Sequence, residues 1–174
     1  DAELGNIDDA RERYSRLEQF LDEYVDPLSY DVVLIDLPGM TNNVSYNGLW
    51  AARHVITPVE MGPFEAEQAD ALRQDLEKIA ENFAVDIELS LVLPNKVDTR
   101  TNLAEEYLDA FTEAYPDAIA PAYVPYSQDI RNAAENGETA FAIPEPSTTA
   151  SRAREAYLDA ATALTDRLGG ASHE

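Results

Sequence analysis

The chain has no cysteine, only two lysines, and no long hydrophobic run. Without cysteine it can form neither a disulfide nor a thiolate metal site, and such a composition fits a protein of the reducing cytoplasm. A membrane-spanning helix needs roughly 20 apolar residues in succession. The longest apolar stretch here, residues 31–36, is short and ends in a charge. We therefore expect a cytoplasmic protein with no membrane partner.

Positive charge is also scarce, with 12 basic residues against 34 acidic ones and a formal net charge of -22. The mutual repulsion of such a surface destabilises the compact state, and about 1 M salt screens it by shortening the Debye length to ~3 Å. Acidity with so few lysines predicts a salt-adapted, haloarchaeal-type cytoplasm. An acidic protein that avoids or mimics nucleic acid is the alternative, but the acids are spread along the chain, which favours general solvation.

What is present is an alternation of apolar strands and amphipathic helices in 174 residues, enough for one sizeable core. We expect an N-terminal helix in residues 1–27, an α/β domain in 28–168 and a tail in 169–174. Alternating strands and helices favour a parallel sheet with helices on both faces, where ligands bind beyond the carboxyl ends of the strands. The predicted strands are 30–36, 54–59, 87–94 and 119–124; the predicted helices are 7–24, 44–52, 64–83, 101–115, 128–136 and 147–168.

The first motif is the apolar run before Asp36, which a Pro-Gly turn follows at Gly39. A strand that delivers one carboxylate at its carboxyl end is what a Walker B element needs to place an acid near Mg²⁺ on nucleotide phosphates. The glycine of this Asp-x-x-Gly pattern can turn its backbone N–H toward a γ-phosphate. The alternative is an ordinary strand followed by a tight turn.

Two further motifs follow the third and fourth predicted strands. Asn95-Lys96-Val-Asp98 has the spacing with which GTPases hold guanine, since the aspartate accepts two N–H bonds from the base while the asparagine and the lysine stem hold it. Its alternative is a polar turn built from Asn and Asp. Pro125-Tyr126-Ser127 can flank a base or ribose with its backbone, or it is an ordinary β-to-α loop.

Taken together and in order, these segments resemble the ParA/MinD family of partition ATPases over about residues 28–168. Residues 30–39 are similar to the family's Tyr-Asp-x-x-x-Ile-Asp-x-Pro segment, and residues 98–103 to its Asp-x-Arg-Thr-Asn-Leu. The other similar segments are 47–52, 55–59, 64–72, 124–125, Gly137 with Ala140-Phe141, and 151–158.

The resemblance implies a P-loop NTPase-like three-layer α/β sandwich with a mainly parallel sheet. It also implies an ATP-driven homodimerisation switch that segregates plasmids or chromosomes with a ParB-like partner and non-specific DNA. No basic amphipathic helix ends the chain, so we expect no membrane role. The implied residues are Asp36 for the Mg²⁺ shell; Gly39, Asn95, Lys96, Asp98, Pro125, Tyr126 and Ser127 for the nucleotide; and Arg100, Arg131, Arg152 and Arg154 for DNA.

The sequence departs from the family in one decisive place, because no Gly-x-x-x-x-Gly-Lys-Ser/Thr phosphate-binding loop occurs in it. The Walker A strand and helix of the family are missing as well. We therefore expect a fragment of an ATPase downstream of that loop, unable to hydrolyse nucleotide and carrying no catalytic residue of its own. We also expect that the isolated chain oligomerises or completes its sheet with another chain. A GTPase-type protein and a degenerate, non-enzymatic interaction module are the alternatives. Tyr126-Ser127 stands where the family has Arg-Asn, and the choice between ATP and GTP stays open.

Overall fold

A computed structural model describes residues 12–38, 42–83 and 85–171. The chain divides into two compact units, one from residues 1–55 and 73–88 and the other from 56–72 and 89–174. The helices are α1 (Arg16–Phe20), α2 (Asn43–Ala52), α3 (Pro63–Phe83), α4 (Asn102–Ala114), α5 (Gln128–Glu135) and α6 (Thr148–Ala171); the strands are β1 (His54–Val59) and β2 (Glu88–Pro94). A π-helical turn (Leu21–Val25) and a 3-10 turn (Asp26–Leu28) extend α1, and another 3-10 turn covers Ala140–Ala142.

In the second unit the sheet is built around β2. β1 pairs with β2, and the Asn95 N–H donates to the Val59 carbonyl at 2.7 Å. On the opposite edge of β2, Ile119 forms a parallel bridge with Val92, and Pro125 forms one with Val97 just beyond the strand. β2 therefore has a neighbour on each side, as a central strand does.

Alternate residues of β2 bury into two different clusters of apolar side chains. Leu91 and Leu93 pack with Ala153, Ala156 and Ala160 of α6. On the other side, Val92 joins a cluster with Ala69 of α3 and with Phe111 and Tyr115 at the end of α4. Because side chains alternate across a strand, these contacts show helices covering both faces. The predicted α/β class with a parallel sheet is confirmed.

The first unit contains α2 and, before it, α1 with the two turns that extend it. Trp50 is buried, and its indole N–H donates to Glu18 of α1 at 3.2 Å. Arg53 donates to the same carboxylate at 2.6 Å and lies over the Trp50 ring, 5.4 Å from its centre. Burying an indole requires a partner for its N–H, and Glu18 supplies one. Among the described residues, no helix is both long and apolar enough to cross a bilayer.

The predicted strand over residues 30–36 is wrong for this structure. The segment is irregular and pairs with no strand of the described residues. Tyr30, Val32, Val33 and Leu34 are exposed. A strand's backbone N–H and C=O groups need partners on a neighbouring chain segment. The described part of the molecule does not supply those partners here, so the apolar run stays unpaired.

The predicted strand over residues 119–124 is reduced to isolated bridges, one from Ile119 to Val92 of β2 and one from Pro125 to Val97 beyond it. The pairing begins well, since the Ala120 N–H donates to the Val92 carbonyl at 2.8 Å. It breaks in between, where residues 121–122 form a bend. Pro94, the last residue of β2, has no N–H with which to continue this ladder, and proline disfavours regular pairing within a sheet. The segment nevertheless lies in the position of the expected strand.

Candidate functional site

Two loops meet beyond the carboxyl end of β2, in the second unit. The loop after β2 contains Asp98, and the loop after residues 119–124 contains Tyr126. Backbone hydrogen bonds join them, from the Val97 N–H to the Val124 carbonyl at 3.0 Å and from the Tyr126 N–H to the Val97 carbonyl at 3.1 Å. A cleft of about 400 Å³ opens between these loops and the starts of α5 and α6. Ligands of parallel α/β sheets bind at this edge.

Several residues singled out from the sequence line this cleft. They are Asp98, Pro125, Tyr126 and Ser127, predicted to contact a nucleotide, with Arg100 and Arg152, predicted to contact DNA. Asn95 and Lys96 belong to the same loop but are not among the residues lining the cleft. Asp36 lies in the first unit, and Gly39 lies outside the described residues.

Asp98 is held by Arg100 in a two-pronged ion pair. The guanidinium donates from Nε to Oδ1 at 2.7 Å and from Nη2 to Oδ2 at 2.5 Å. The backbone N–H of Arg100 donates to Oδ1 as well, at 3.2 Å. Hydrogen bonds from Arg100 lower the pKa of the Asp98 carboxyl to about 2, because they favour its charged form. Both oxygens of the predicted base-reading carboxylate thus have donors inside the loop.

Lys96 turns its charge toward Glu60, the residue after β1. Its Nζ donates to the glutamate carboxylate at 2.6 Å, and this hydrogen bond raises the pKa of the lysine. Its backbone has φ 53°, a left-handed conformation that is uncommon outside glycine. The Asn95 side chain stabilises this turn by accepting the Lys96 N–H at 3.0 Å. In this structure both residues shape the loop.

The second loop presents one aromatic ring and one helix cap to the cleft. The Tyr126 ring is exposed, and its hydroxyl donates to Gln128 Oε1 at 3.1 Å. Ser127 is buried and is the N-cap of α5, where its Oγ accepts the Ile130 N–H. Pro125 fixes the loop beside Val97 through its parallel bridge. A flat ring beside a rigid backbone is a suitable platform for a planar base.

A connection that the sequence did not predict joins the starts of α5 and α6 at the far side of the cleft. The Asp129 carboxylate accepts the backbone N–H of Ser147 at 3.0 Å. Hydrogen bonding from the Ser147 side chain, and then from its backbone, lowers the pKa of the aspartate. Ser147 caps α6 by accepting the Ala150 N–H at 3.3 Å. Ser127 and Ser147 each precede a helical pattern, so both caps could be found from the sequence. That the two helix starts converge is a tertiary fact.

The arginines predicted to contact DNA all have partners within the chain. Arg131 donates to Glu135 at 3.2 Å, one helical turn away. Arg152 donates to the Tyr123 hydroxyl at 2.9 Å and lies over that ring. Arg154 donates to the carbonyls of Ala140 and Ile143 at 2.7 and 2.6 Å, so it fastens the 3-10 turn to α6. A DNA role for these side chains stays a prediction.

The carboxylate proposed for Mg²⁺ is exposed in the irregular segment after residue 30. Among the described residues there is no group of three or more acidic, histidine or cysteine side chains that could hold a metal. One carboxylate is nevertheless a sufficient protein contribution where nucleotide phosphates and water complete the Mg²⁺ shell. The donor type of Asp36 fits that role, and the assignment stays a prediction.

Comparison with curated proteins gives three relatives of similar distance. The chain is 27% identical to the chromosome-partitioning ATPase Soj of Treponema pallidum over 129 residues, which are 74% of this chain and 50% of that protein. It is 25% identical to the sporulation initiation inhibitor protein Soj of Bacillus subtilis over 76% of this chain and 51% of that protein. It is 23% identical to the cell division protein PomZ of Myxococcus xanthus, over 75% and 40%. The chain thus spans about half the length, or less, of these relatives.

Solved structures agree on the fold. Cobyrinic acid a,c-diamide synthase from Mycobacterium smegmatis superposes with a TM-score of 0.56 at 22% identity, over 79% of this chain and 50% of the synthase. The structure of that synthase with bound ADP and magnesium gives a TM-score of 0.52 at the same identity, over 68% and 53%. No family model matches the chain.

Proposed function

We propose that this chain, which is related to the ParA/MinD-type partition ATPases, forms the base-binding side of an ATP site in such a protein. The observation that carries the proposal is the cleft beyond the carboxyl end of β2, lined by Asp98, Pro125, Tyr126 and Ser127. It is supported by the relatives, one of which is named as a chromosome-partitioning ATPase. The activity served is chromosome or plasmid partitioning.

The division of labour in this site follows from what the chain contains and what it lacks. The Tyr126 ring and the backbone at Pro125 offer a surface for the base. No glycine-rich loop with its lysine occurs in the sequence to surround a triphosphate with N–H donors. We therefore assign the phosphates to residues outside this chain, in a longer protein of which this chain is the downstream part.

We propose that Asp36 serves Mg²⁺ in that longer protein. In this structure the irregular segment that carries Asp36 does not fix its position. The apolar residues before it are those of a buried parallel strand. Paired as a strand in the longer protein, these residues would position the carboxylate, so that Asp36 would hold Mg²⁺ and the Gly39 N–H would serve the γ-phosphate. Mg²⁺ supplies charge neutralisation of the phosphates there. The partners proposed for the longer protein are a second copy of itself, a ParB-like protein and non-specific DNA.

The experiment is calorimetric titration of MgATP into two proteins, the product of the complete open reading frame that contains this chain and the 174-residue chain alone. We expect ATP binding by the first and none, or much weaker binding, by the second. Tyr126→Ala should weaken binding by roughly fivefold or more, since base–aromatic stacking contributes about 1–3 kcal/mol. The matched control is Tyr24→Ala, which removes another exposed tyrosine, in the first unit.

Two results would contradict the proposal. Absence of ATP binding by the complete protein would leave a degenerate interaction module as the better hypothesis. Equal losses from Tyr126→Ala and Tyr24→Ala would show that the base does not bind in this cleft.

The salt adaptation proposed from composition has its own test. A net charge of -22 on 174 residues predicts that repulsion limits stability at low salt. The midpoint of thermal unfolding should rise steadily as KCl increases toward about 1 M, where the Debye length is ~3 Å. A midpoint that does not depend on KCl would remove the argument for a salt-adapted protein.

A further inference from the structure

The ion pair between Asp98 and Arg100, which both line the cleft, affects which base the site accepts. Guanine presents two donors side by side, the ring N1–H and the exocyclic amino group, and a free carboxylate accepts both. Adenine presents an acceptor at the corresponding ring position, so a carboxylate gains nothing from it. Asn95-Lys96-Val-Asp98 has the spacing of a guanine-binding loop. What Asp98 contacts in the folded loop therefore decides whether the motif can work that way.

We infer that Arg100 is a specificity-determining residue that keeps this cleft from reading guanine, because its guanidinium occupies both carboxylate oxygens of Asp98. This inference rests on the proposed function. The two hydrogen bonds, at 2.7 and 2.5 Å, reach different oxygens. Guanine would have to displace both of them to bind Asp98, whereas adenine needs neither oxygen.

The other residues of the loop do not restore guanine recognition. The Lys96 Nζ donates to the Glu60 carboxylate at 2.6 Å. The Asn95 side-chain oxygen accepts the Lys96 backbone N–H. The low pKa of the Asp98 carboxyl, about 2, agrees with a carboxylate that already has close donors. The side chains of Asn95, Lys96 and Asp98 thus all make contacts within the protein, although their spacing matches that of a guanine-binding loop.

The expected size of the change in base preference follows from the exposure of the Arg100 side chain. The Arg100 side chain is 84% exposed, and exposed ion pairs are weak, even though bidentate geometry strengthens them. Removing the guanidinium should therefore open Asp98 without disturbing the core. We expect Arg100→Ala and Arg100→Gln to change the ratio of the ATP and GTP dissociation constants in favour of GTP by about three- to tenfold.

The test is competitive calorimetry with MgATP and MgGTP on the protein from the complete open reading frame. Arg73→Ala is the matched control, because it also removes one arginine from an exposed ion pair, with Glu77 in α3. The double variant Asp98→Asn with Arg100→Ala is the second control. An Asn side chain has one acceptor oxygen and cannot receive both guanine donors, so the gain in GTP affinity should vanish.

Each outcome has a definite meaning. A shift toward GTP in both Arg100 variants that the double variant abolishes supports the inference. A shift that survives in the double variant overturns it, since Asp98 would not then be the residue that contacts guanine. An unchanged ratio, with ATP still bound, overturns the role of Arg100 but leaves the proposed function standing. Absence of nucleotide binding by the unsubstituted protein overturns both the inference about Arg100 and the proposed function.

Discussion

Residues 32–35 and residues 91–93 are both apolar runs, yet they have opposite environments in the molecule. The second run lies in β2, and its Leu91 is only 2% exposed. The first is irregular, and its Leu34 is 76% exposed. β2 has β1 on one edge and residues 119–125 on the other, with helices packed on both faces. An apolar sequence therefore becomes a strand only where neighbouring segments accept its backbone hydrogen bonds.

The same difference separates the two carboxylates that follow these runs. Asp98 comes shortly after β2, in a loop hydrogen-bonded to its neighbour, and Arg100 fixes its direction. Asp36 follows the unpaired run and is exposed. A functional side chain is positioned by the element that carries it, so the pairing of residues 30–36 decides whether Asp36 can serve Mg²⁺.

The largest expected effect comes from truncating one leucine in each run. Leu91→Ala should lower the free energy of unfolding of the chain by about 2–5 kcal/mol, because it leaves a cavity among buried side chains. Leu34→Ala should change it by less than about 0.5 kcal/mol, as surface substitutions do. Urea unfolding in high salt measures both. A comparable loss from Leu34→Ala would show that the first run is buried in solution.

The same two substitutions, Leu34→Ala and Leu91→Ala, should also be measured in the protein from the complete open reading frame. If residues 30–36 pair there as the proposed function requires, Leu34→Ala should become as costly as Leu91→Ala. A cost that stays near zero would mean that the run remains unpaired and that Asp36 is not placed by a strand.

The next effect concerns the carboxylate after the first run. Asp36→Asn in the complete protein should weaken Mg²⁺-dependent ATP binding or turnover by about 10–100-fold, the usual cost of losing a group that orients a metal's shell through water. Asp31→Asn, at the start of the same segment, is the control with an equal change of charge. Equal effects of the two substitutions would point to general electrostatics rather than to a Mg²⁺ role.

A smaller effect is expected at the cap beside the cleft. Ser127→Ala removes the hydroxyl that accepts the Ile130 N–H at the start of α5, which should cost about 1 kcal/mol of stability. Thr101→Ala, the equivalent cap of α4, is the comparison. If the Ser127 hydroxyl only caps the helix, both substitutions should leave the affinity for ATP similar. A selective loss of ATP affinity in Ser127→Ala would add a direct contact with the nucleotide.

The smallest effect is the titration of Asp98. Its pKa in the folded chain is about 2, below the value of about 3.9 for an unperturbed aspartate. The stabilisation from its pair with Arg100 is therefore complete above about pH 4 and is lost as the pH falls toward 2. Carboxyl NMR should place the Asp98 midpoint near 2 and move it upward in Arg100→Ala. An unmoved midpoint would show that another group lowers it.

Much of this architecture follows from local patterns. Helical periodicity predicted α2 to α6 with ends within a few residues. The strands β1 and β2 were found from short apolar runs. The same rule failed at residues 30–36 and 119–124. In the first case the described residues supply no pairing partner, and in the second a bend at residues 121–122 interrupts the ladder.

The candidate site divides in a similar manner. The principle that ligands bind beyond the carboxyl ends of strands led to Asp98 and to residues 125–127, which line one cleft in the structure. Their roles there stay predictions. The contact between Asp98 and Arg100 was not foreseen, because the sequence suggested separate partners for them, a base and DNA. Two residues apart in a tight loop, the two charges have each other as nearest partners.

The acidic composition, the α/β alternation and the absence of a phosphate-binding loop can all be read from the order of residues, since composition, periodicity and a contiguous motif are local properties. Tertiary structure alone decided which apolar run became a buried strand, which helix starts met at the cleft and which partner Asp98 took. Each of those outcomes depends on residues distant in sequence or on the fold of a loop. A hydrogen bond or an apolar contact stabilises the chain only when its partner is within reach.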